Sequence, residues 1–227
     1  GSSSFLLPVS GGKRCVCRLF VLEQETWEDY RVYNKNTVHV GNSIVVQPYV
    51  QRHLHEEEVR FLYAGRLSAV KNVGPMIEAV KSYDRTCSFT ILGDGEERGK
   101  MERLADGDKR IRFIGAVKPD EVQRAMKEAD VLIMNSTFEG IPMTILEAIS
   151  QGLPVITTDV GGIKEVLTYG KDSEVTDGSV ERIHTAMDKI LLDYEAYAKA
   201  AYDKSLQFDY RKVNRKVFDV LNESLHW

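Results

Sequence analysis

Cysteine is scarce in this chain, and the few present point away from a cross-linked or metal-built fold. There are 3 in 227 residues. Two of them, as Cys15-Val16-Cys17, make neither a disulfide framework nor a zinc pattern. On a strand these two point the same way, so buried thiols are expected. Long apolar runs are also lacking, since none approaches the ~20 residues needed to span a bilayer. No sign of charge dominates: the net charge of −4 gives no general pull toward nucleic acid or an anionic membrane. A dinucleotide fingerprint is missing where Gly93-Asp94-Gly95 suggests one, because position 98 is Arg rather than a third glycine. Asn135-Ser-Thr and Asn222-Glu-Ser match the glycan acceptor pattern, yet without a secretory signal they read as coincidental. The expected setting is reducing and cytoplasmic. What is present, 43% hydrophobic and 28% charged residues, is the balance of a globular protein with one core, or one core and part of another.

The most informative stretch runs from Ala129 to Gly162. Val131 to Met134 is a short apolar run, the pattern of a strand covered on both faces. Asn135-Ser136-Thr137 then marks a loop, and Glu139-Gly140 lets the backbone turn before Pro142. Proline suits a first helical position, so a helix is expected from Pro142, with Ile145, Leu146 and Ile149 inward and Gly152 as its stop. Pro154-Val-Ile-Thr-Thr supplies the next strand. Such a strand–loop–helix–strand unit puts its loop at the carboxyl edge of a parallel sheet, where open α/β sheets bind ligands. The helix start offers the free N–H groups of Met143 and Thr144, with Gly140 and Ile141 just ahead, as a site for a phosphate. An anion there leaves Glu139 and Glu147 to accept hydrogen bonds from hydroxyls on either side, which suits a sugar–phosphate–sugar ligand.

Elsewhere the same grammar repeats. Phe61-Leu-Tyr-Ala is a strand followed by Gly65-Arg66-Leu67, Lys71-Asn72 and a helix from Pro75. Ser88 to Leu92 and Ile111 to Val117 are further strands, with helices over Glu96–Ala105 and Glu121–Ala129. Asp106-Gly107-Asp108 sits in a helix-to-strand loop and reads as a turn, not a metal motif. Ser173-Glu-Val-Thr is a weak candidate for a sixth strand. Helices follow at Val180–Leu191, Glu195–Leu206 and Tyr210–Leu225. Before Arg60 the pattern is least legible: Val16 to Leu22 and Thr37 to Val40 are strand-like around a short helix at Thr26–Tyr30. His53-Leu54-His55 beside three glutamates reads as an exposed linker, and Gly1-Ser-Ser-Ser as an expression scar.

At Glu139-Gly140, Glu147-Ala148, Gly152, Pro154-Val155 and Gly161-Gly162 the sequence resembles the donor-binding half of family 4 (group 1) retaining glycosyltransferases of the GT-B architecture. The resemblance covers about Phe61 to Leu167. It implies an α/β fold, a Rossmann-like parallel sheet flanked by helices that forms one half of a GT-B enzyme. Residues 1–58 would be the scar plus a remnant of the N-terminal domain and linker, and residues 59–227 the nucleotide-sugar-binding domain with C-terminal helices. It further implies that Glu139 faces the transferred sugar and Glu147 the ribose. By the same resemblance Arg66 and Lys71, on the loop opened by Gly65, hold the donor diphosphate, and Ala116 and Val117 lie near the base. Two fixed cations can stabilise a leaving diphosphate, so no metal and no cofactor is expected. The donor would be UDP- or GDP-linked. The acceptor, a glycan or lipid-linked molecule, would be met through the missing N-terminal domain, with peripheral contact at the inner face of the membrane allowed. On this view the isolated chain binds donor weakly and transfers poorly. Two alternatives stay open: a sugar-nucleotide epimerase of the same architecture, and a non-catalytic α/β module. A receiver is disfavoured because Arg66 and Gly115 occupy its acidic positions.

Overall fold

The computed structural model describes residues 5–9, 16–22 and 24–225. The chain divides into two compact units, Gly1–Val46 with Leu206–Trp227, and Gln47–Ser205.

The first unit holds β1 (Phe5–Val9), β2 (Val16–Val21), α1 (Gln24–Arg31), β3 (Thr37–His39) and α9 (Tyr210–Leu225). Strand β1 was not foreseen; it pairs antiparallel with β2, which pairs in parallel with β3. Trp27 Nε1 donates to Thr37 O at 3.0 Å and so pins α1 beside β3. Ile44 exchanges backbone bonds of 2.9 Å with Phe208 and Tyr210, which ties the entry of α9 to this unit. The sequence reading grouped that helix with the second region.

The second unit is a six-stranded sheet: β4 (Val59–Ala64), β5 (Cys87–Leu92), β6 (Ile111–Gly115), β7 (Val131–Met134), β8 (Val155–Thr158) and β9 (Ser173–Thr176), in the order β6-β5-β4-β7-β8-β9. Every pairing is parallel. The helices between strands are α2 (Gly74–Ser82), α3 (Arg98–Ala105), α4 (Pro119–Glu128), α5 (Met143–Ser150) and α6 (Ile163–Val166), followed by α7 (Val180–Leu192) and α8 (Tyr194–Ser205). The continuous apolar runs follow from burial on both faces: all four residues of β7 are buried. Phe61, Tyr63, Phe89, Ile91, Val131 and Ile133 share one core with Met76 and Ile77 of α2 and Ile183 and Met187 of α7. Ile145, Leu146 and Ile149 of α5 are fully buried, each contributing about 1.5–3 kcal/mol relative to exposure.

Ser173-Glu-Val-Thr is a strand despite its polar composition. Its buried Glu174 is neutralised by Lys189 Nζ at 3.0 Å and accepts from Tyr197 Oη at 2.5 Å. The linker is less exposed than its sequence suggests. Arg52 donates to Met126 O at 3.1 Å and Gln151 O at 3.3 Å, filling carbonyls left open where α4 and α5 end. His53 pairs with Glu195 at the surface, but His55 Nδ1 lies 2.7 Å from buried Asp130. Asp130 also accepts from Arg60 N, at the start of β4. These bonds tie Arg52, His53 and His55 into the unit of Gln47–Ser205.

Candidate functional site

The chain builds the sheet outward from β4 through β5 to β6, then returns to lay β7 against the other edge of β4. The loops after β4 and β7 therefore leave the same sheet edge and turn to opposite sides. That reversal opens a crevice at the carboxyl ends of the strands. The two loops bond across it: Thr137 N donates to Val70 O at 2.8 Å, and Asn135 Nδ2 to Asn72 O at 3.3 Å.

Lys71 ends a single 3₁₀ turn (Ala69–Lys71), after which Asn72 takes a left-handed conformation at φ 47°. This turn brings the Lys71 ammonium into an ion pair with Glu139 Oε1, 68 residues further along the chain. Their side chains are 22% and 9% exposed, so the pair is partly withdrawn from solvent screening. Ser136 Oγ donates to the same Oε1 at 2.7 Å. The Glu139 carboxylate, expected to be free, is thus engaged through one oxygen. The Glu139 backbone is gripped from behind by Gly161-Gly162. A Cβ on Gly161 would fall 1.7 Å from Glu139 O, and Gly161 sits at φ +56°. Gly162 N donates to Gly140 O at 3.2 Å.

Arg66 lies on the Lys71 loop, 73% exposed, with NH2 3.1 Å from Glu96 Oε2. Both expected cations are therefore carboxylate-paired here. Tyr63 Oη donates to Arg66 O at 2.7 Å. Burial, and then the nearby Glu139 charge, push the Tyr63 phenol well above its ordinary pKa, so it stays a donor. A side chain on Gly65 would stand 2.9 Å from that phenol oxygen.

Helix α5 starts one residue later than expected. Pro142, at φ −72° and ψ 120°, stands just outside it, and its carbonyl accepts from Ile145 N at 3.1 Å. The N–H groups of Met143 and Thr144 precede that first intrahelical bond and remain outward donors. Ile141 packs under Gly162, where a Cβ would fall 2.6 Å from its side chain. Glu147, one turn on, is half-buried. Its carboxylate has no protein partner among the described residues, and burial pushes its pKa up. A desolvated carboxylate without a donor carries a cost that hydroxyl donors would offset. Val117, half-buried, and Ala116, exposed, lie beyond β6, two strands away from β4. The structure joins Lys71 to Glu139 directly and keeps Arg66 on the Lys71 loop.

Three participants escaped the sequence reading: Ser136, Asn135 and Glu96. Ser136 stands three residues before Glu139, a spacing that permits the contact without announcing it. Asn135 Nδ2 also donates to Gly178 O at 3.2 Å, so it joins three loops. Among the described residues no cluster of three or more His, Cys, Asp or Glu is placed to hold a metal ion. No described helix is long and apolar enough to cross a membrane.

A family model described as "Glycosyl transferases group 1" matches residues 47–205. Sulfoquinovosyl transferase SQD2 of Arabidopsis thaliana is 27% identical over 168 residues, covering 71% of this chain and 32% of the relative. The lipopolysaccharide 1,6-galactosyltransferase of Escherichia coli K12 is 31% identical over 140 residues, covering 58% and 38%. The chain thus spans about a third of the length of these two relatives. Among solved structures, Anabaena HepE in complex with UDP and glucose superposes with a TM-score of 0.75 at 18% identity, covering 90% of this chain and 62% of that one.

Proposed function

The chain belongs to the group 1 glycosyltransferases, and from that premise we propose that the crevice between the β4 and β7 loops binds a nucleotide-diphosphate sugar. The observation that carries this reading is the Lys71–Glu139 pair at the sheet reversal, which sets a cation for a phosphate beside an acceptor for a sugar hydroxyl. Arg66 extends the cationic edge, and the first N–H groups of α5 add donors for the same anion. Glu147, desolvated and without a protein partner among the described residues, supplies the acceptor for the ribose hydroxyls. Gly65, Gly140 and Ile141 shape the loops, and Val117 borders the base. Neighbours in complex with UDP and with UDP-glucose support a diphosphate donor, with UDP or GDP as the nucleotide.

In the full-length protein we assign transfer of the sugar to a glycan or lipid-linked acceptor with retention of configuration. The diphosphate leaves with added negative charge, which Lys71 and Arg66 stabilise, and Glu139 holds the sugar as its anomeric carbon becomes cationic. Acceptor binding is assigned to the N-terminal side of the full-length protein, of which residues 1–58 are read as a remnant with the linker. The setting is read as cytoplasmic, with peripheral contact at the inner membrane face through that side. Calorimetry with UDP and GDP, with and without EDTA, tests the reading. Binding of one of them with micromolar to millimolar affinity, unchanged by EDTA, is expected. Loss of binding with EDTA would overturn the metal-free assignment.

A further inference from the structure

Glu139 Oε1 accepts from two donors, the Lys71 ammonium and the Ser136 hydroxyl, while Oε2 has no protein partner among the described residues. The two donors differ in freedom. Lys71 ends a short turn on another loop and is 22% exposed, whereas Ser136 is 1% exposed. Ser136 is also held from behind, since Thr158 Oγ1 on β8 donates to its carbonyl at 2.5 Å. Its neighbours are tied as well: Asn135 reaches Asn72 O and Gly178 O, and Thr137 reaches Val70 O. An ammonium on a flexible four-carbon stem can turn to a new partner. Ser136 has a short side chain on a backbone held on several sides, so its hydroxyl stays within reach of Glu139.

Resting on the nucleotide-sugar reading of the site, the geometry points to Ser136 as the positioning residue that keeps Glu139 aimed at the transferred sugar once Lys71 has turned to the diphosphate. Ser136 then holds Oε1 alone, and Oε2 is presented to a sugar hydroxyl. The consequence is selective, because Ser136 acts on the sugar through Glu139 and has no part in holding the nucleotide. An ordinary turn-stabilising serine would behave otherwise. Its loss would loosen the loop and weaken every ligand alike.

The test is calorimetry on the 227-residue protein with UDP, UDP-glucose, GDP and GDP-mannose. Wild type is compared with Ser136→Ala, Ser136→Cys and Thr158→Val. For the nucleotide that binds, Ser136→Ala should leave the diphosphate affinity within about twofold and weaken the nucleotide sugar about tenfold, the scale of a lost hydrogen bond to a charged group. Ser136→Cys keeps a weaker donor on a somewhat larger side chain, and its nucleotide-sugar affinity should fall between those of wild type and Ser136→Ala. Thr158→Val loosens the segment but leaves the hydroxyl bond, and should move nucleotide and nucleotide sugar together. Equal weakening of both ligands by Ser136→Ala, or no weakening of the sugar, overturns the role of Ser136 while the site reading stands. Wild-type protein that binds none of the four overturns both.

Discussion

Replacing Glu139 by Gln removes the charge that faces Lys71 while keeping the shape of the side chain. The ion pair is neither fully buried nor fully exposed, at 22% and 9%. Its loss should therefore fall between the ~0–1 kcal/mol of a surface pair and the ~3–5 kcal/mol of breaking a buried one. Gln can still accept from Ser136 and from Lys71, so roughly 1–2 kcal/mol is expected. For a protein of this size that lowers the thermal midpoint by about 2–8 °C. Binding should respond in the opposite sense for one ligand. With its carboxylate partner gone, Lys71 no longer chooses between Glu139 and a phosphate. UDP or GDP affinity should hold or rise severalfold, and the nucleotide sugar should weaken about tenfold. Nucleoside diphosphate at 100 times Kd contributes about 2.7 kcal/mol of stabilisation, so saturating ligand should restore the lost midpoint. Thermal melting with and without ligand, paired with calorimetry, reads all of this. An unchanged midpoint together with equal weakening of both ligands would refute the reasoning and reduce Glu139 to a loop support.

Glu147→Gln should separate stability from binding. Burial raises the folded-state pKa of Glu147 above its ordinary value, so the folded protein binds more protons than the unfolded chain between those two values, and the ionised carboxylate destabilises the fold above them. The variant should melt higher than wild type at pH 7, with the advantage gone below the ordinary carboxylate pKa, and should bind nucleoside diphosphate more weakly by roughly 1–3 kcal/mol. Melting curves across pH and one titration suffice, and an unchanged nucleotide affinity removes Glu147 from the site. Gly161→Ala should displace the Glu139 loop, because its Cβ would meet Glu139 O at 1.7 Å from a backbone at φ +56°. A midpoint several degrees lower and loss of nucleotide-sugar binding are expected, and wild-type behaviour in both would show that the loop is not held there.

The single elements were legible because their signals are local. Val131 to Met134 announces a doubly covered strand by its unbroken apolarity, and Gly152 announces the end of α5. Helix α9 matches its expected range of Tyr210–Leu225, since a helical stripe repeats within a few residues. The glutamates eight positions apart and the Arg66–Lys71 spacing likewise lie within single loops and helices. Signals failed where one element depends on another. The strand character of Ser173–Thr176 rests on Lys189 and Tyr197, which neutralise and cap its buried Glu174. Strand β1 is paired with β2 across the chain. Arg52 and His55 read as linker until the ends of α4 and α5 and the buried Asp130 come beside them. The same holds for the site. Sequence placed Lys71 after one strand and Glu139 after another, each with a ligand role and neither as the other's partner. Only the order of the strands, which sets β7 against β4, brings their loops together. A contact across 68 residues is decided by which strands become neighbours, and no periodicity within an element carries that information.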